Sequence, residues 1–143
     1  MDIASLKKEW TGFEFDTADF VVEEQEMLDF ALACGEVEPR YTDATHADFQ
    51  APTTFTSKFS GRRILPKDFP RIAKRGGFDA GKCVEFHAPV RAGDTITGAS
   101  RIHDIYEKTG RSGPMIFIVH RMEFRNQRRE LVSIVDWRMV QQP

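Results

Sequence analysis

Four runs in the second half of the chain alternate apolar and polar residues in the way that β-strands require. They read KCVEFHAPV, TITGASRIHDIY, PMIFIVHRMEF and ELVSIVDWRMV, and stretches rich in turn-forming residues separate them. Because short connections favour antiparallel neighbours, we expect the four runs to form a meander. In the third run one face carries Ile116, Ile118, Met122 and Phe124, and only His120 interrupts it.

The first half of the chain has a different pattern. Residues 10–23 alternate aromatic and polar side chains and predict a short strand or an extended arm that leads into a helix. Met27, Phe30 and Ala31 then recur at helical spacing, with acidic residues at the start of the run. Gly35 is a typical C-terminal stop for such a helix.

The segment between this helix and the four runs predicts mostly loop. Residues 39–52 read as a loop with one helical turn around residues 43–48. Residues 53–60 could form a helix, although their threonines lower the helix propensity. Residues 61–77 contain prolines and terminal glycines and predict a long exposed loop. A helical part on one face of an antiparallel sheet is an α+β fold.

Composition limits the classes of function. The 143 residues fit one domain, residues 1–143, and 41% hydrophobic residues with 12 phenylalanines supply a core. The net charge of −2 argues against a nucleic-acid partner. The first residues lack a signal sequence, and no apolar run approaches the ~18 residues of a membrane span.

The two cysteines are too few for a disulfide framework or a zinc cluster. Cys34 and Cys83 do not form a CxxC pair, so we expect both to be reduced, half-buried thiols. Together with the missing signal sequence, they predict a cytoplasmic protein without a membrane partner.

Three segments carry a resemblance to a known family. They are FALACGEVEPRYTDATHA, APTTF, and the stretch from FHAPVRAGDTI to NQRRELV. In this order they resemble the MaoC-like dehydratases, which include R-specific enoyl-CoA hydratases and hydroxyacyl-carrier-protein dehydratases. The likeness spans roughly residues 8–140 and is strongest to the N-terminal-type dehydratase domain, which is usually paired with a second such domain.

The resemblance implies a hot-dog fold, an antiparallel β-sheet wrapped around a central helix. It also implies a lyase of fatty acid metabolism that adds water reversibly to a 2-enoyl thioester. The substrate would be a thioester of coenzyme A or of a phosphopantetheine carrier, and no separate cofactor is expected. An enzyme of this kind would be an oligomer of hot-dog subunits.

The family's catalytic loop runs glycine, aspartate, any residue, asparagine, proline, any residue, histidine. On this sequence Gly35 and Pro39 match, Glu36 stands at the aspartate position, Glu38 at the asparagine position and Tyr41 at the histidine position. In the family the aspartate and histidine activate water and transfer the protons. A phenol, with a reference pKa of about 10, is a poor general base at neutral pH. A glutamate is one methylene longer, and a misplacement of about 1 Å can cost roughly a hundredfold in rate.

Two interpretations of this loop stay open. Glu36 could hold a water while Tyr41 donates a proton, which would make them the catalytic pair. Alternatively, the glutamates are solvated and Tyr41 closes the loop onto the core, which is the interpretation that we favour. The chain would then be the substrate-binding half of a heteromeric double hot-dog enzyme, with the aspartate and histidine supplied by a partner.

Other segments predict substrate contacts. Small residues in APTTF would allow close approach to a thioester, and nearby phenylalanines would line an acyl tunnel. With the two loop positions, the candidates are Glu38, Pro39, Ala51, Pro52, Thr53, Phe55 and Phe59. The following basic loop could bind phosphates through Arg62 and Arg63, and it also holds Lys67, Arg71, Lys74 and Arg75. Ordinary solvent exposure is the alternative for this loop.

The histidines predict no metal site. His46 could reach the loop's site but more simply caps a surface turn, and His87, His103 and His120 lie singly in predicted strands. No pair has the spacing of zinc ligands.

Two other functions remain open. One is a homodimeric hot-dog acyl-CoA thioesterase, in which Glu36 or Asp43 would activate the water. The other is a non-catalytic module that binds an acyl thioester.

Overall fold

The strand-forming runs build one antiparallel sheet, which the remaining elements cover on one face. The computed structural model describes residues 2–74 and 76–143. The elements in chain order are α1 (Ile3–Trp10), β1 (Glu14–Val21), α2 (Glu24–Ala33), α3 (Pro39–Thr42), a 3₁₀ helix (Phe55–Lys58), β2 (Gly77–Phe86), β3 (Thr95–Gly110), β4 (Gly113–Arg125) and β5 (Leu131–Gln141). The sheet has the strand order β1-β3-β4-β5-β2. The α+β class and the hot-dog sheet are confirmed.

The predicted meander is correct only for β3, β4 and β5. β2 pairs antiparallel with β5 instead of β3, and β1 takes the place beside β3. The connection 87–94 crosses the sheet between these two edges. Its start is held by two backbone N–H groups that donate to the Val132 carbonyl, and its end by the Gly93 N–H that donates to the Val22 carbonyl. At about 3.3 Å per extended residue, the connection is long enough for this crossing.

Of the three α-helices in the described part of the chain, local signals located only α2 closely. α2 ends at Ala33, and Gly35 follows with φ +71°. The predicted turn of helix around residues 43–48 is wrong, because Pro39 starts the short helix α3 earlier. α1 has no counterpart in the sequence analysis, although the Asp2 side chain caps it in the ordinary way by accepting from the Ala4 and Ser5 N–H groups.

The sheet's covered face holds two apolar clusters. Phe124 and Val132 form one with Met27 of α2 and Phe55 of the 3₁₀ helix. The other, around Ile102, Ile105 and Ile118, is covered by Leu6 of α1 and by Ile72. On one face of β4, the side chains of the second cluster come first along the strand and those of the first cluster follow. His120 lies between them on the same face.

The loop 61–77 is not fully exposed, in contrast to the prediction. Ile72 is 5% exposed, and Leu65 and Phe69 pack against the second cluster. These apolar residues lie among charged ones, and so their spacing alone gave no helix or strand signal. The loop is therefore a fixed cover for one end of the sheet.

Truncation of Phe124 should destabilise the fold strongly. Its ring is fully buried, and it lies 5.8 Å from the Phe59 ring and 6.3 Å from the Phe20 ring, centroid to centroid. We expect Phe124→Ala to lower the free energy of unfolding by about 3–5 kcal/mol in urea titrations. Phe78→Ala is the matched control, since Phe78 is 53% exposed, and its loss should stay below about 1 kcal/mol. Equal losses for the two variants would contradict this description of the core.

Candidate functional site

The loop that carries the family positions has a well-defined backbone. After α2, the Gly35 N–H donates to the Leu32 carbonyl and the Glu36 N–H to the Ala31 carbonyl. Such bonds close a helix end, and the positive φ of Gly35 fits a glycine at that place. Pro39 then begins α3. The loop keeps the turn that the resemblance predicts.

The two positions of the family dyad lie in different surroundings. Glu36 is half-buried, whereas Tyr41 is only 6% exposed. The Arg40 guanidinium lies 4.8 Å from the centre of the Tyr41 ring and covers it. The Arg40 side chain also pairs with Glu38, with 2.9 Å between Nε and Oε2. Glu38 and Pro39 are exposed, so this ion pair adds little stability.

Most residues of the APTTF segment are buried in the core and do not lie at the surface. Ala51 and Pro52 are buried, and the Ala51 N–H donates to the Val90 carbonyl. Thr53 is exposed. Phe55 is 1% exposed and packs at right angles to the Phe59 ring, 5.4 Å away. The segment continues as four residues of 3₁₀ helix instead of a long helix.

A buried hydrogen bond fixes this 3₁₀ helix on the sheet. The hydroxyls of Thr56 and Ser133 lie 2.7 Å apart, and both residues are 2% exposed. A buried polar pair of this kind is stable only while both partners are present. It therefore sets the position of the chain that follows, including Phe59.

The basic loop begins on a buried carboxylate. The Arg63 N–H donates to Asp16 Oδ2 at 3.0 Å, and the Arg62 Nε lies 3.6 Å from Asp16 Oδ1. The Arg62 guanidinium also donates to the Thr17 carbonyl. A Cβ on Gly61 would lie 2.7 Å from Asp16 Oδ2, so only glycine permits this approach. Lys67, Arg71 and Lys74 are exposed, and Arg75 lies outside the described residues.

A pocket lies between the chain after the 3₁₀ helix and the sheet. Phe59, Gly61 and Ile64 form its cover, and His120 of β4 and Trp137 of β5 form part of its floor. Of the predicted binding residues, Phe59 reaches this pocket, and Phe55 is packed in the core behind it.

His120 is the polar group in this apolar floor. The residue is 4% exposed, and its Nε2 has no hydrogen-bond partner among residues 2–74 and 76–143. Its ring lies 5.7 Å from the Phe15 ring and 6.3 Å from the Trp137 ring. Burial, and to a smaller extent the charge of Lys82, lower the pKa of His120 from 6.5 to about 4, against the opposing effect of Asp16 and Asp136. The imidazole is therefore neutral at pH 7.

The sequence analysis placed His120 singly in a predicted strand and gave it no part in the site. The available signal was its place in the middle of an apolar row on a strand. A polar residue in such a row costs free energy unless a partner is found. Asp16 was also missed, because its alternating neighbours gave no sign that its side chain is buried.

The other histidines have ordinary surface environments. His46 is exposed, and its Nδ1 accepts from the Asp48 N–H, as a turn cap does. His87 Nε2 lies 2.8 Å from a Glu85 carboxylate oxygen, and His103 is exposed. Within residues 2–74 and 76–143, no group of three or more His, Cys, Asp or Glu side chains could hold a metal ion.

Both cysteines are free, and both are exposed, in contrast to the half-buried state that was predicted. Cys34 caps the end of α2, and Cys83 lies on the edge strand β2. Neither position is covered by another part of the described chain. None of the helices in that part combines the length and the apolarity that a bilayer span needs.

The low pKa of His120 predicts a pH dependence of stability. The unfolded chain takes up the proton near pH 6.5 and the folded chain only near pH 4. The folded state therefore keeps its full stability above pH 6.5, where the imidazole is neutral in both states. It loses stability as the pH falls from 6.5 to 4, because the unfolded chain binds the proton first. We expect the free energy of unfolding of the wild type to fall by about 3 kcal/mol more than that of His120→Leu, measured by urea unfolding across this range.

The control is His103→Leu, which replaces an exposed histidine of the same sheet. It should follow the wild-type pH dependence. Parallel curves for the wild type and His120→Leu would contradict the assignment of a neutral, buried imidazole.

Comparison with known proteins identifies the family. The family model described as "FAS1-like, dehydratase domain region" matches residues 9–135. UPF0336 protein SCO4636 of Streptomyces coelicolor is 33% identical over 108 residues, which cover 66% of this chain and 69% of that protein. The family-model match spans the altered loop, the basic loop and most of the sheet.

Solved structures share the fold at lower identity. The HadBC (3R-hydroxyacyl-ACP dehydratase) complex from Mycobacterium tuberculosis contains a chain with a TM-score of 0.67 and 24% identity, with 98% of each chain covered. The MaoC-like dehydratase from Rhodospirillum rubrum has a TM-score of 0.62 and 23% identity, with 93% of this chain and 94% of that chain covered. The chain therefore belongs to the FAS1-like dehydratase region family and has the hot-dog fold of the MaoC-like dehydratases.

Proposed function

We propose that this chain is the substrate-binding subunit of a heteromeric enoyl thioester hydratase, or 3-hydroxyacyl thioester dehydratase. A second hot-dog subunit would supply the aspartate and the histidine that handle the water. The substrate would be an acyl thioester of coenzyme A or of a phosphopantetheine carrier, and the compartment would be the cytoplasm. Membership of the family supports the reaction class. The proposal adds that this chain binds the substrate and that the second subunit transfers the protons.

The observation that carries the proposal is the state of Tyr41. The family's general base would have to reach the reacting atoms, yet the Tyr41 side chain is buried beneath Arg40. Buried aromatic rings of this kind hold a loop on its core. The turn at Gly35 is retained while the residue that should do the proton transfer has a packing role.

Asp43 gives no support to a thioesterase. Its carboxylate accepts from the Thr45 hydroxyl at 2.7 Å and from the Thr45 N–H at 2.8 Å. These bonds lower the pKa of Asp43, which makes the carboxylate a weaker base for activating water. Glu36 remains the residue through which this chain could act by itself.

The edge strand β2 offers a place for a partner. It pairs on one side with β5, and nine of its ten residues are exposed. Phe78 and Phe86 on this strand are 53% and 42% exposed. Unpaired edges are templates for another strand, and exposed apolar residues favour association. The HadBC relative of the fold is itself a complex.

The first test is hydration of a short 2-enoyl-CoA by the purified chain at high protein concentration. We expect no turnover by the chain alone, followed as loss of the enoyl thioester absorbance, since proton transfer lacks its base. Turnover should appear when a hot-dog subunit with the intact aspartate and histidine loop is added. Release of free coenzyme A without a hydrated product would instead identify a thioesterase.

Glu36→Gln separates the two interpretations of the loop. If the chain turns over by itself and this variant abolishes the activity, Glu36 is catalytic and the proposal is wrong. Glu107→Gln is the matched control, since Glu107 is an exposed glutamate on β3. It should leave any activity unchanged.

Association through β2 can be tested on the same chain. We expect Phe78→Asp to reduce the affinity for another hot-dog subunit at least tenfold, because a carboxylate would be buried at the junction. Sedimentation velocity of wild type and variant measures the association. The control is Phe13→Asp, since Phe13 is 43% exposed but lies before β1, at the other edge of the sheet. Equal loss in the two variants would exclude a specific role of the β2 edge.

A further inference from the structure

The pocket above His120 is lined by this residue and mostly by apolar side chains. Met122 and Val135 flank the imidazole on the sheet, and Phe59 and Ile64 cover it. Met122 and Phe59 are buried, so the walls near the imidazole are shielded from solvent. Apart from His120, these are side chains that do not form strong hydrogen bonds.

The His120 Nε2 finds no hydrogen-bond partner in the part of the chain that the structure describes. A neutral imidazole has one nitrogen that donates and one that accepts. It can therefore pair with a hydroxyl or with a carbonyl oxygen. An unpaired buried polar group is costly, and a ligand that brings the missing partner recovers that cost on binding.

The size of the pocket limits what can reach the imidazole. The centre of a water-sized molecule can occupy about 20 Å³ of the pocket, and its empty space, open solvent included, is about 300 Å³. One water-sized group requires roughly 10–15 Å³ of the first kind of volume. The pocket thus has room for one group of about that size beside its open side.

The mouth opens beside the edge strand that we assign to the partner. Lys82 of β2 is exposed at this rim, and its ammonium donates to the Ser57 carbonyl at 2.8 Å. The ammonium also lies 5.2 Å from the centre of the Trp137 ring. A ligand that enters from a site shared with a partner on β2 would reach the pocket past these two side chains.

We propose that the pocket takes the far end of the acyl group and that His120 selects acyl groups bearing a hydroxyl or carbonyl oxygen over plain hydrocarbon chains. The inference rests on the proposed function, because it takes the ligand to be an acyl thioester. His120 is then a specificity-determining residue, and the hydration chemistry stays with the partner.

Equilibrium binding tests this selectivity without any turnover. The probes are the N-acetylcysteamine thioester of octanoic acid and its isomers with one hydroxyl at successive carbons beyond the third. We expect one isomer to bind the purified chain about tenfold more tightly than the unsubstituted octanoyl thioester, as measured by calorimetry. The ¹⁵N chemical shifts of the His120 ring should change with that isomer and not with octanoyl.

Variants assign the preference to the imidazole. His120→Leu should remove the tenfold preference while retaining octanoyl binding, whereas His103→Leu, at an exposed position, should keep it. If His120→Leu does not fold, the binding preference and the ¹⁵N shifts of the wild type still test whether the imidazole selects the hydroxylated isomer. Equal or weaker binding of every hydroxylated isomer would overturn the selectivity alone. Failure of all these thioesters to bind would overturn both this inference and the proposed substrate class.

Discussion

The covered face of the sheet is the constraint on which the rest of the structure depends. Alternating side chains on β3, β4 and β5 place a long apolar surface on one side, and only burial makes such a surface stable in water. No single helix covers it. α1 and the loop around Ile72 cover one end, while α2 and the 3₁₀ helix cover the other. The pocket lies where these two covers meet, above His120.

The opposite face of the sheet mixes charged side chains with apolar ones such as Phe117, Val119 and Val140. Arg121 and Asp136 form a two-bond ion pair, at 2.7 and 2.9 Å, between β4 and β5. Such a bidentate pair fixes the register of neighbouring strands as well as adding stability. The pairing thus helps to align His120 with Trp137, which are partners on the other face.

Sequence patterns predicted the elements well because their signals are local. Alternation located three of the four long strands closely, and Gly35 gave the end of α2. The pairing of β2 with β5 could not be read in this way, because alternation shows that a strand has a buried face but not which strand lies beside it. The resemblance gave the hot-dog fold, yet the cover formed by Leu65, Phe69 and Ile72 depends on contacts distant in sequence.

The same limit applies to the candidate site: the sequence shows motif positions but not the contacts of their side chains. The altered loop was visible in the sequence, since Glu36 and Tyr41 occupy known positions of a family motif. The packing of Tyr41 on the core was expected from the sequence, whereas its position under Arg40 required coordinates. His120 was visible as an interruption, but the absence of a partner for its Nε2 depends on side chains from four strands and a loop.

The imidazole of His120 is difficult to explain by stability alone. A leucine in the same row would join the two apolar clusters and would leave no buried nitrogen without a partner. The structure instead keeps a neutral imidazole in a pocket that Lys82 of β2 also lines. Local rules of folding are usually broken where function requires it. A hydrogen bond from a ligand would complete this site, and so the most unfavourable position in the core is also the one that best explains what the pocket is for.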